Sequence, residues 1–141
     1  MRIRAQAHEA LAILAAMRDV ASIGRELTEA DRARLVAAGH WMFGLDVMID
    51  TDRLPSMNPF RLGDVVDDPG LRDEAARFLT VMAFVDGTLD AAKITRVLAY
   101  AAAIGVRAEY IDEIAAAAKG SLAWALGYMV RANLESITGR P

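Results

Sequence analysis

No cysteine occurs in this 141-residue chain. That absence excludes disulfides, thiol redox chemistry, a cysteine nucleophile and every thiolate metal site. Histidine is nearly absent as well. His8 and His40 are the only two, and no HExxH, HxH or HDxxH pattern surrounds either, so a zinc-hydrolase constellation is excluded. Long apolar runs are missing: uncharged stretches such as Phe78 to Val85 and Ser121 to Val130 fall far short of the ~18 residues a membrane span needs. An excess of positive charge is missing too. With 16 Lys+Arg against 19 Asp+Glu and an isoelectric point near 5.3, no overall positive field gathers phosphate, so nucleic acid is not an expected partner. Ser121 follows Gly120 without the strand or the GxSxG elbow of a serine nucleophile. Gly63 and Gly70 stand isolated among acids, so no phosphate-cradling loop is present. Met1-Arg2-Ile3-Arg4 starts like a secretory leader, but His8 and Glu9 interrupt its apolar part and Arg18-Asp19 close it. A cytoplasmic location is the expectation.

What remains is globular in composition, at 55% hydrophobic and 25% charged residues. A chain of this length buries roughly two-thirds of the surface its unfolded form exposes, enough for one core. About a fifth of the residues are alanine, which favours helix. The apolar spacing predicts a first helix over Ala5 to Ala21. Thr28 is a good N-cap with Asp31 at the third helical position, so a second helix is expected from Glu29 to Phe43, ended by Gly44. Between residues 45 and 70 Pro55, Pro59 and Pro69 break the pattern. This segment reads as a long, acidic, ordered loop with one short turn around Leu62 to Val66. Leu71 to Val85 is amphipathic. Asp86-Gly87-Thr88-Leu89 reads as a turn in which Gly87 supplies a positive φ. Asp90 caps a helix from Ala91 to Ile104 that stops at Gly105, Ala108 to Ala118 forms another, and Ser121 caps a last one ending near Gly139. No strand pattern appears. The expected fold is all-α: one domain, a compact bundle of six to seven helices, made of a hairpin over 1–44, the loop over 45–70 and a helical core over 71–139.

Charge is unevenly spread. From Asp46 to Asp90 ten acids face four bases, a local balance of −6, while the rest of the chain balances at +3. Asp46, Asp50, Asp52, Asp64, Asp67 and Asp68 form a candidate binding face that attracts cations or a basic partner. Hard cations want several oxygen ligands around one point, which makes Asp86 and Asp90 candidate metal ligands. An EF-hand is excluded, because placing Gly87 at the sixth loop position puts Met82, Phe84 and Lys93 where oxygen donors are required. No cofactor is expected beyond such a divalent cation. His40, next to Trp41, reads as a partly buried, hydrogen-bonded core residue. Trp124 and Tyr128 lie one helical turn apart and are a core stripe or a candidate interface, including one between two copies of the chain.

Met82-Ala83-Phe84-Val85-Asp86-Gly87-Thr88-Leu89-Asp90, then Val97-Leu98, Ile104-Gly105-Val106, Tyr110-Ile111 and Ile114 form a series of short motifs. Through them the stretch from Leu79 to Ala118 resembles the bacterial tellurite-resistance TerB-like family. The resemblance implies a helical bundle without catalytic activity, tied to metal or stress responses and to protein partners, with an acidic surface that takes divalent cations. Asp86 and Asp90 match the family's acidic turn; the acid usual a few positions into the next helix is replaced here by Lys93. Val97 to Ala118 is also similar to the carboxymuconolactone-decarboxylase and alkylhydroperoxidase superfamily, whose catalytic cysteine pair this chain lacks. A decarboxylase-like relative would draw a proton donor from His40 or Glu113. The leading expectation is thus a non-enzymatic interaction module. A cysteine-less relative of those helical enzymes and a purely structural oligomerisation domain are the alternatives.

Overall fold

In the computed structural model, which describes residues 5–45, 50–85 and 88–118, one alanine-rich helix occupies the centre. This is α1 (Ala7–Ala21), in which Ala10, Ala12 through Met17, Val20 and Ala21 are all buried. A helix apolar on nearly every side belongs inside a bundle, and its alanines let neighbours approach closely. Around it lie α2 (Glu29–Ala37), α3 (Pro59–Val65), α4 (Pro69–Met82) and α5 (Ala91–Ala103), each in contact with α1. The sixth helix, α6 (Ala108–Ala118), packs on α4 and α5. One core runs through all six, with Leu14, Met17, Leu35, Leu62, Leu79, Tyr100 and Ile111 fully buried in it. Phe43 and Phe78 add a tilted ring pair with centroids 5.6 Å apart. The fold is an all-α bundle.

The helix starts follow from their caps. The Thr28 hydroxyl accepts the Asp31 N–H at 3.1 Å while the Asp31 carboxylate accepts the Thr28 N–H at 3.1 Å, the reciprocal capping box read from the sequence. Asp90 Oδ2 accepts the Lys93 N–H at 2.9 Å. Gly105, with φ +74°, ends the α5 segment as expected.

Several boundaries differ from expectation. The second helix is α-helical only to Ala37 and continues as a π-helical turn over Ala38–Met42, in which the Phe43 N–H donates to the Ala38 carbonyl. The widened turn runs through Gly39, the residue with the weakest hold on α geometry short of proline, and Gly44 follows at φ +66°. The segment over 45–70 is not simply a loop. It contains a short 3-10 turn (Thr51–Arg53) and all of α3. Pro59 and Pro69 stand at the first positions of α3 and α4, where a missing N–H and a fixed φ suit helix entry. They begin helices, with Asn58 and Asp68 as N-caps, instead of forbidding them. α4 accordingly starts at Pro69 rather than Leu71. It ends at Met82, because Phe84–Val85 (β1) turns back to pair antiparallel with Thr88–Leu89 (β2), a two-residue ladder that no alternation in the sequence announces. His40 is exposed on the π-helical turn, not partly buried.

Cationic side chains bind the helix ends together. Arg72, on α4, donates to the carbonyls of Val66 (2.6 Å), Gly63 (3.1 Å) and Ile104 (3.1 Å), joining the C-terminal ends of α3 and α5. Arg18 reaches out of α1 to the carbonyls of Thr51 (2.9 Å) and Pro55 (3.0 Å). Lys93, only 2% exposed, places its ammonium on the C-terminal end of α1, donating to Val20, Ala21 and Ile23 at 3.3, 2.5 and 3.2 Å. Carbonyls at a helix C-terminus lack intrahelical donors and carry the negative end of the dipole, so a cation there meets both needs.

Candidate interaction surface

α3 is short, yet it is fixed on one side with unusual closeness. Asn58 Oδ1 accepts the Arg61 N–H at 3.0 Å and starts the helix. Leu62 and Val66 are fully buried. At Gly63 an added Cβ would stand 2.9 Å from the Ala103 carbonyl oxygen, so the backbones of α3 and α5 touch there. Arg72 then ties the C-terminal end of α3 through Gly63 and Val66.

The opposite side of this anchored helix carries Phe60, which is 84% exposed. Phe60 lies two residues before Leu62, about 200° around the helix from the buried stripe. Asp64, four residues on, is exposed on the same face, and Arg61, Asp67 and Asp68 are exposed around it. Asp68 has a local duty, since its Oδ2 accepts the Leu71 N–H at 2.9 Å. Asp67 stands 3.9 Å from Arg72 with an almost fully solvated side chain. Asp64 makes no ion pair or side-chain hydrogen bond with another described residue. Asp64 lies in the last turn of α3, the end at which the dipole disfavours anions, whereas Asp67 directly precedes the N-cap of α4, the end at which it favours them.

The other candidate residues divide cleanly. Asp50 caps the 3-10 turn, accepting the Asp52 N–H at 3.1 Å, and lies 3.5 Å from Arg53. Asp52 accepts from Arg32 at 3.0 Å. Asp90 caps α5. Glu113 is exposed on α6 and His40 on the π-helical turn. Asp46, Asp86, Trp124 and Tyr128 lie outside the described residues, as does the expected C-terminal helix. Among the described residues no three His, Asp or Glu side chains gather to hold a metal ion.

Two polar clusters escaped the sequence reading. Asp19 Oδ2 accepts both from Arg96 Nε and from the Tyr100 hydroxyl, each at 2.7 Å, and the Arg96 guanidinium lies 5.6 Å from the Tyr100 ring centroid. Burial pushes the Tyr100 hydroxyl well above its usual range, and the bond to the Asp19 carboxylate adds to the rise. Asp31, 3% exposed, sits between Arg25 at 3.7 Å and Arg34 at 3.4 Å. Burial lowers the Lys93 pKa and Arg25 lowers it further, while Asp31 and Asp90 pull the other way. These groups join α1 to α2 and α5. Open depressions of about 650 Å³ beside Arg25, Leu27 and Arg32, and about 280 Å³ beside Arg107 and Tyr110, mark the surface elsewhere.

Phe60 was within reach of sequence reasoning: once α3 is drawn, it falls off the apolar stripe of Leu62, Val65 and Val66. Nothing local marks Asp19, Arg96 and Tyr100 as partners, because the first is remote in sequence from the other two. The fold and this surface define an all-α helical bundle presenting a rigid aromatic knob beside carboxylates. No protein-family model, no curated protein and no solved structure matches the chain.

Proposed function

We propose that the chain is a non-catalytic helical module that binds a protein partner through the outer face of α3. The observation that carries this reading is Phe60, held almost fully in water on a helix whose other side is bolted to α4 and α5. Leaving a phenylalanine exposed forgoes about 1.5–3 kcal/mol of burial free energy, and aromatic side chains on rigid elements are the usual anchors of interfaces. The reading agrees with what the resemblance to TerB-like domains implies: an interaction role, an acidic surface and no catalysis.

The test is a photo-crosslinkable phenylalanine analogue at position 60, with the same analogue at exposed Asp112 on α6 as control, expressed in the source organism. A discrete crosslinked protein from position 60 that is absent from position 112 is expected. Identical products from both positions, or none from position 60, would refute the reading.

A further inference from the structure

Resting on that reading, we infer that the partner surface taken by α3 is a cationic amphipathic helix, whose apolar stripe receives Phe60 and whose Lys or Arg residues meet Asp64 and Asp67. Shape and charge both point to this occupant. A single exposed ring on a convex helix is a knob, and the complementary surface is a row of apolar side chains with gaps between them, as on one face of an amphipathic helix. The carboxylates beside the ring determine the sign of what flanks that row. Asp68 is accounted for by its N-cap bond, whereas Asp64 stands in the last turn of α3 with no ion pair or side-chain hydrogen bond to another described residue. Arg72 faces Asp67 only at 3.9 Å, while its guanidinium is committed to three backbone carbonyls. The charge of Asp64 and Asp67 is therefore available to an incoming cation. Between residues 58 and 68, Arg61 is the one exposed base, against exposed Asp64, Asp67 and Asp68. A second copy of the chain is a poorer occupant, since it would bring a patch of the same net negative sign against this one.

The experiment uses the full chain and three synthetic amphipathic peptides that share one leucine stripe but carry lysine, glutamine or glutamate on the polar positions. Binding is followed by the amide chemical shifts of residues 60–68 and by calorimetry at low and high salt. The lysine peptide is expected to bind saturably, to shift those amides and to weaken as salt rises. Phe60→Ser is expected to weaken it at least about thirty-fold, the factor that loss of a hot-spot aromatic implies. Asp64→Lys is expected to move the preference toward the glutamate peptide. Phe60-dependent binding of all three peptides with equal affinity overturns the cationic partner while leaving the protein-binding reading intact. Failure of the lysine peptide to shift residues 60–68 also overturns it, as does a self-association that Phe60→Ser abolishes in sedimentation. The crosslinking experiment stands or falls independently of all three results.

Discussion

Replacing Lys93 by methionine keeps an unbranched apolar stem and removes the ammonium. In the folded protein the ammonium donates to three carbonyls at the end of α1, and only the Val20 carbonyl keeps a second donor, the Ile23 N–H at 3.2 Å. The carbonyls of Ala21 and Ile23 lose theirs. A buried acceptor left without a partner costs about 1–3 kcal/mol, so two give about 2–6 kcal/mol. Against this, methionine relieves the burial of a charge, a cost whose direction shows in the lowered pKa of Lys93. The first effect wins, because the ammonium is met by three oxygens and lies near Asp31 and Asp90. The net expectation is a loss of about 3 kcal/mol, which at an m of ~2 kcal/mol/M lowers the urea midpoint by about 1.5 M. The pH dependence supplies a second check. The unfolded chain holds the Lys93 proton more tightly than the folded one, so this group's contribution is full above the ordinary lysine pKa of 10.5 and falls as pH drops through the lowered folded value. The gap between wild type and Lys93→Met should therefore widen as pH approaches 10.5. A methionine variant as stable as wild type would refute the reasoning. It would mean that burying the ammonium outweighs the carbonyls it serves, as happens in some buried ion pairs.

Tyr100 acts in the opposite direction: its raised pKa means that the stability it contributes is complete below pH 10 and is lost as pH rises further. Tyr100→Phe should lose about 1.5–3 kcal/mol at pH 8, the worth of a bond to a charged acceptor, yet decline less steeply above pH 10 in urea melts; an equal decline would refute this. Gly63→Ala sets a helix-propensity gain of ~1 kcal/mol against a Cβ 2.9 Å from the Ala103 carbonyl oxygen. Backbone on both sides leaves no room to yield, so a net loss of about 1–2 kcal/mol is expected, and a stabilised variant would show the contact to be soft. Arg72→Lys keeps the charge but not the planar fork that reaches three carbonyls. It should cost about 2–4 kcal/mol and speed hydrogen exchange in α3 more than in α1, whereas uniform exchange would argue that Arg72 holds no local joint.

Elements governed by nearest neighbours could be read directly from the chain. Thr28 with Asp31, Asp90 at the start of α5 and Gly105 at its end each act over three or four residues, and each stands where the pattern put it. Proline misled because its meaning depends on position: Pro59 and Pro69 look like breakers until Asn58 and Asp68 are recognised as the caps before them. The anchored side of α3 was hidden for a different reason. Its rigidity comes from Arg72 and from the Gly63–Ala103 approach, and neither pairing has a signature in local periodicity. The acidic residues were visible, but composition alone cannot separate Asp50, Asp52 and Asp68, whose charge serves local caps and an ion pair, from Asp64, which has no such bond among the described residues.

The bond between Lys93 and Ala21 spans 72 positions, and that separation has a consequence for synthesis. Translation adds roughly 5–20 residues per second, so the ribosome works for about 4–14 s between completing α1 and supplying the ammonium that seals its end. Throughout that interval the central helix of the bundle has neither its anchor nor the α5 surface it packs on. The newborn N-terminal half is thus the part most in need of shielding during synthesis.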